Sequence, residues 1–206
     1  RQRVAGRTEA MVHPSAYYVG LRATTGFMTL GNEYPLDTVV VDPKGERVKG
    51  KKVEVTIVSR TWKSVRKKDA SGGFTVISEP EETAVHQCSL TSAGDPVPCK
   101  FKPSSAGFFI VRANVKDDAQ HSHTASLGVY ATGSDFVAWQ RNDNDRIELI
   151  ADKTSYQVGD VAKVLVKSPY PEANAVFSIE REGVLERRFM KLKGSVTAVE
   201  VPITEE

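Results

Sequence analysis

No stretch of a dozen residues in this chain carries apolar side chains at the 3.6-residue period of an amphipathic helix. Period-2 alternation takes its place. Val53, Val55 and Ile57 share one face, with Glu54 and Thr56 on the other. Phe109, Val111, Ala113 and Val115 repeat the pattern, and Ala125, Leu127 and Val129 alternate with Thr124, Ser126 and Gly128. Successive residues of an extended chain point to opposite faces, so each run reads as a strand that offers one face to a core. Turn-forming residues separate the runs: Asp42, Pro43, Lys44 and Gly45, then Val158, Gly159 and Asp160, then Arg181, Glu182 and Gly183. Many short strands with such turns predict an all-β, antiparallel sandwich or barrel.

Strands are expected at 17–23, 34–41, 53–58, 61–66 around Trp62, 74–77, 83–90, 99–102, 108–115 and 123–130, with an edge strand at 11–14 ending at Pro14. The composition shifts at 132–145, which starts with small residues and ends rich in Asn and Asp. The chain therefore divides into one sandwich at 1–132, a junction at 133–145 and a second β unit at 146–206. In the second unit, strands are expected at 161–167 and 175–180, separated by Ser168, Pro169, Tyr170 and Pro171, because proline cannot donate to a ladder. A weak internal repeat relates the two units: a glycine turn, a strand, a Pro-containing turn and an apolar strand. About five strands fit into 146–206, against about seven for a complete sandwich, so the second unit reads as incomplete. Phe136, Val137 and Trp139 are too apolar for a free linker. They are expected to pack as a wedge that sets the angle between the units, the rival being that Val137 and Trp139 fill the first sandwich's own core.

The 206 residues carry a net charge of +2, which gives no footprint for nucleic acid or an anionic membrane. No run approaches the ~18 apolar residues of a membrane span, and residues 1–14 lack the apolar core of a signal peptide. The two cysteines, Cys88 and Cys99, flank Gly94, Asp95 and Pro96. Placed on two strands joined by that turn, they could face each other across a hairpin and bond. Closing so short a loop is worth ~3 kcal/mol. The alternative is a pair of buried free thiols. Zinc lacks the paired ligand spacing it needs. A disulfide would imply an oxidising compartment.

Other constellations have plain readings. His121 and His123 would share a strand face and could hold a metal, but no third ligand accompanies them and a polar turn suffices. Asn142, Asp143, Asn144 and Asp145 with Asp152 offer calcium-type oxygens, but the run lacks the EF-hand glycine and terminal glutamate, and an Asx-rich turn explains it better. Ser15, His13 and His86 lie in no nucleophile motif. Glu180, Arg181 and Glu182 read as solvated pairs at a strand end, and Trp62 as packing. No catalytic residue, cofactor or metal is assigned. Cys88 and Cys99 are expected to act as a staple, and Trp139 as the junction wedge.

Several phrases together resemble the macroglobulin domains of the alpha-2-macroglobulin family, its bacterial branch especially. They are VHPSAYYVGLR at 12–22, VDPKG at 41–45 followed by GKKVEV at 50–55, CSLTSAGDPVPCKFKPSSAGFFIVRA at 88–113, DRIELIADKTSYQVGDVAKVLVKSPY at 145–170 and SIEREGVL at 178–185. The resemblance implies tandem immunoglobulin- or fibronectin-like sandwiches within a large modular protein. In such proteins a protease cuts a bait region, the molecule rearranges and the protease is enclosed; many members add a thioester in a Cys-Gly-Glu-Gln context. Neither that tetrapeptide nor a long bait-like stretch occurs here. Residues 146–206 resemble the start of the domain that bears the bait. This implies a non-enzymatic scaffold piece of a protease-trapping inhibitor, periplasmic or extracellular and often lipid-anchored. The implied partners are target proteases, neighbouring macroglobulin domains and a cell-wall synthase. The competing classes are an adhesion or ligand-binding sandwich module of a surface protein and an accessory module of an enzyme.

Overall fold

The computed structural model describes residues 6–68, 72–133, 147–168, 170, 172–194 and 196–205, and among them every regular element is a strand. Eight strands lie in the first part: β1 Tyr18–Ala23, β2 Phe27–Thr29, β3 Tyr34–Val41, β4 Lys52–Lys68, β5 Phe74–Thr91, β6 Val97–Phe101, β7 Gly107–Lys116 and β8 Ser122–Thr132. They form two sheets. One is antiparallel, in the order β1-β3-β6. The other runs β2-β8-β7-β4-β5, with β2 parallel to β8 and the rest antiparallel.

The alternating residues read from the sequence are the ones the two sheets enclose. Val53, Val55 and Ile57 of β4 and Phe109, Val111, Ala113 and Val115 of β7 meet Leu36 and Val40 of β3 in one continuous core. Each large side chain sealed there contributes roughly 1.5–3 kcal/mol. Phe101 of β6 sets its ring edge-on to Phe109, 5.3 Å between centroids, which ties the sheets together at their centre. Between β7 and β8, Asp117 orders the turn, accepting from the amides of Ala119 and His121 and, across the sandwich, of Ala16.

Five strands follow: β9 Glu148–Ala151, β10 Val161–Lys167, β11 Glu172–Glu180, β12 Val184–Lys193 and β13 Val196–Pro202. β10 sits between β9 and β13, and among the described residues β11 pairs only with β12. The inner face of the β11–β12 hairpin, with Ala175, Phe177 and Met190, packs on Val166 and Val199. The turn at Arg181, Glu182 and Gly183 is tight enough to force Glu182 to φ 54°.

Three expectations change. The runs 74–77 and 83–90 are one strand, β5, paired with β4 along its whole length. Pro80 did not break it because β5 is an edge strand, where a missing donor costs no ladder bond. The register shifts between Ile57 and Val58, where β5 carries one extra residue, Val85. No strand forms at 11–14, whose Met11 and Val12 are exposed. The third concerns the cysteines. Cys88 lies on β5 and Cys99 on β6, which belong to different sheets, so they do not oppose each other in a hairpin. They are bonded across the sandwich, with Cα atoms 5.9 Å apart. The turn at Gly94–Pro96 therefore carries the chain from one sheet to the other.

Candidate functional site at the joint between sandwich and trailing strands

Beside the cores of the two regions lies a small one that both build. Phe27 of β2 is 5% exposed and packs on Leu165 of β10 (0%) and Val196 of β13 (1%). Ala106, Tyr130 and Ile150 close its rim. The chain reaches this position through the turn before β2. There the Gly26 amide donates to the Asp152 carbonyl at 2.9 Å. A Cβ on residue 26 would sit 2.1 Å from the Ala151 carbonyl oxygen, so only glycine permits the approach.

Asp152 is the hub on the opposing side. Its Oδ1 accepts from the Tyr156 hydroxyl at 2.6 Å and the Lys163 amide at 2.9 Å, and its own amide donates to the Lys163 carbonyl. Burial pushes its carboxyl up, but the Tyr156 hydroxyl and the Lys163 amide outweigh this and hold it below the ordinary value. The Tyr156 hydroxyl in turn accepts from the Lys153 amide. The turn that follows is closed by Gly159 at φ 93° and by paired backbone bonds between 159–160 and Ile203. At the far rim, the Lys167 ammonium donates to the Tyr130 hydroxyl at 3.2 Å, lies 4.8 Å from the centre of that ring and pairs with Glu148. Tyr130 stacks on Phe108, and Phe108 on Trp62, so an aromatic row runs from this rim across the outer face of the larger sheet.

Phe136, Val137 and Trp139, expected to form this joint, lie outside the described residues, as do Asn142, Asp143, Asn144 and Asp145. Phe27 was missed because it follows a glycine turn in a three-residue strand too short for any alternation to show. The signal that could have found it is the apolar pair Phe27–Met28, one residue for each of two cores.

The remaining candidates are held by local bonds. His121 Nδ1 is 3.1 Å from Asp117, whereas His123 Nδ1 accepts from the Val19 amide, so one ring holds the turn and the other reaches across to β1. Ser15 accepts from the Tyr17 amide, and His13 contacts the Tyr18 hydroxyl. Glu180 accepts from Ser178. His86 Nε2 lies 3.5 Å from Cys88 Sγ. A groove of about 340 Å³ lies at one end of the β11–β12 hairpin, between Glu172 and Asn174 on one strand and Lys191 and Lys193 on the other.

An all-β scaffold whose trailing strands share a core with the preceding sandwich is a modular β-sandwich assembly. Residues 147–206 match the alpha-2-macroglobulin bait region domain. An alpha-2-macroglobulin homolog of Nostoc sp. is 25% identical over 193 residues, which is 94% of this chain and 10% of that protein. The chain thus spans about a tenth of that relative's length. The native conformation of E. coli alpha-2-macroglobulin aligns with a TM-score of 0.48 and 18% identity, covering 94% of this chain and 13% of that one. Salmonella alpha-2-macroglobulin reacted with methylamine aligns at 0.43 and 17%, covering 93% and 13%. Its trailing strands thus match the bait region domain of that family, and the chain as a whole is similar to a bacterial alpha-2-macroglobulin homolog.

Proposed function

We propose that this chain is scaffold of a protease-trapping inhibitor: a complete macroglobulin-type sandwich at 1–132, a junction at 133–145, and at 146–206 the incomplete opening of the domain that bears the bait. The observation that carries the reading is a coincidence of boundaries. The match to the bait region domain begins at Ile147, one residue before β9, where the trailing strands start. Those strands are docked on the sandwich through Phe27, Leu165 and Val196. A bait leaving this unit would be presented at an angle fixed by that contact, instead of the swivel expected of small polar interfaces. Phe136, Val137 and Trp139 would add to the same joint. Target proteases, neighbouring macroglobulin domains and a cell-wall synthase are the partners of the whole protein, which would work in the periplasm or outside the cell, with or without a lipid anchor. The described residues contain no helix long and apolar enough to cross a membrane.

The test uses the full-length protein with Gly26→Val, and separately Phe27→Ser. Both should still fold and still be cut in the bait by a trypsin-like protease. Retention of the cut protease, measured as shielding from a large protein inhibitor, should drop severalfold. Unchanged retention in both variants would remove the joint from the trapping mechanism. Residues 1–206 alone should neither inhibit trypsin nor hydrolyse peptides.

A further inference from the structure

The inter-sheet disulfide has two unlike ends. Cys99 is 0% exposed and belongs to the sandwich core. Cys88 is half-buried on β5, the outermost strand of its sheet. Of the two residues, Cys88 is therefore the one with surface open to solvent. His86 lies two residues earlier on the same face, with Nε2 3.5 Å from Cys88 Sγ and its ring 5.7 Å from that of Phe101. The strands packed around this pair present Val55, Ile57, Leu36 and Phe101, none of which titrates. Their charged residues are turned outward and paired: Glu54 with Lys52, Asp37 with Arg22, Lys100 with Glu33. His86 is thus the imidazole placed beside the sulfur of the more exposed cysteine.

We propose that Cys88 is the reactive end of the staple, and that His86 activates it for thiol–disulfide exchange with a dithiol oxidoreductase of the thioredoxin class. In the reduced protein the Cys88 thiol passes its proton to His86 Nε2. The thiolate attacks the partner's disulfide, forming a mixed disulfide and expelling one partner cysteine as thiolate, which takes up the proton held by His86. The Cys99 sulfur then attacks Cys88 Sγ and its proton goes to the departing partner. The mixed disulfide breaks, Cys88–Cys99 forms, and the partner leaves as a dithiol carrying two electrons. This reading is independent of the proposed trapping function.

The experiment compares Cys99→Ala with His86→Gln/Cys99→Ala, each carrying Cys88 as its one thiol. With a small aromatic disulfide reagent at pH 6.5, the single variant should react about tenfold faster, and the gap should close at pH 9.5, where the thiolate forms unaided. Equal rates at pH 6.5 would overturn the role of His86. A second measurement avoids dependence on how these variants fold. The oxidised wild-type chain is mixed with a reduced thioredoxin-class protein lacking its second cysteine, whose thiolate attacks the Cys88–Cys99 bond and cannot resolve the product, and the trapped mixed disulfide is mapped by mass spectrometry. Trapping at Cys88 is expected; trapping at Cys99, or equally at both, would overturn the assignment.

Discussion

The sandwich and the trailing strands use the same alternating patterns but hold themselves together differently. In the sandwich, two sheets enclose one continuous core in which Phe109, Leu36, Ile57 and Val111 are fully buried, and a disulfide crosses it. In the trailing strands the buried residues fall into two small groups, one of which is completed by Phe27 of the sandwich. Around them Ile147, Leu149, Val158, Val161 and Phe189 remain about half or more exposed. The first region brings its own second sheet. The second covers one face of its main sheet with the β11–β12 hairpin but the other with Phe27 of the sandwich, so its order depends on its neighbour. That dependence is a physical reason for the joint to transmit orientation as well as connect.

The sharpest way to break this comparison is to damage each core in turn. Phe109→Ala should cost about 3–5 kcal/mol and lower the denaturant midpoint of the whole chain. Leu165→Ala should cost about 2–5 kcal/mol but act locally. Hydrogen exchange should lose protection in β9, β10 and β13 while β4 and β7 keep theirs. If β4 and β7 lose protection equally, the two regions are one cooperative unit and the contrast fails.

The disulfide comes next. Removing it with Cys88→Ser/Cys99→Ser should destabilise the sandwich by about 2–3 kcal/mol, as expected for a short closed loop. Since the bond joins two sheets of the sandwich and touches no trailing strand, protection of β10 relative to β7 should rise. A preferential loss in β10 would show that the staple reaches the joint.

Most of the fold was legible because exposed and buried positions alternate. β3 and β10 span 34–41 and 161–167 as read, since their Val-rich runs are bounded by turns on both sides. The cysteine geometry was not legible. Sequence shows a turn between Cys88 and Cys99, but whether the chain returns along the same sheet or crosses to the other depends on Leu36 and its neighbours pairing with β6. The joint was illegible for a related reason. Phe27, Leu165 and Val196 are far apart in sequence, and each has the look of an ordinary core residue. No local pattern says that the three form a core of their own. Gly26 was equally silent, because its constraint is the carbonyl of Ala151, 125 positions away.

The smallest expected effect is electrostatic, and it separates the two regions by their response to acid. Glu82 is clasped by Arg112 and Arg60, which hold its carboxyl at about 2 instead of 4.5. Asp117 is likewise lowered to about 2, chiefly by the Ala16 amide and then by His121. A carboxylate whose folded value is depressed contributes stability that is complete above its unfolded value and disappears as the pH falls through the folded one. The sandwich should therefore lose stability between about pH 4.5 and pH 2. Because Glu82 is partly solvated, its share at neutral pH is about 1 kcal/mol or less. Glu82→Gln should flatten that part of the acid profile and leave the trailing strands unaffected. Asp152 is lowered too, so its contribution also fades as pH falls below the ordinary 3.8. Its partners are Tyr156 and Lys163, in the trailing strands, and its carbonyl receives the Gly26 amide. Asp152→Asn should accordingly flatten the acid response of hydrogen exchange in β9 and β10, and not that of β4. Stability followed by exchange from pH 5 to pH 2 in the two variants reads both effects at once. Should either substitution flatten the response in both regions, acid sensitivity is shared through the joint, and the sandwich and trailing strands titrate as a single body.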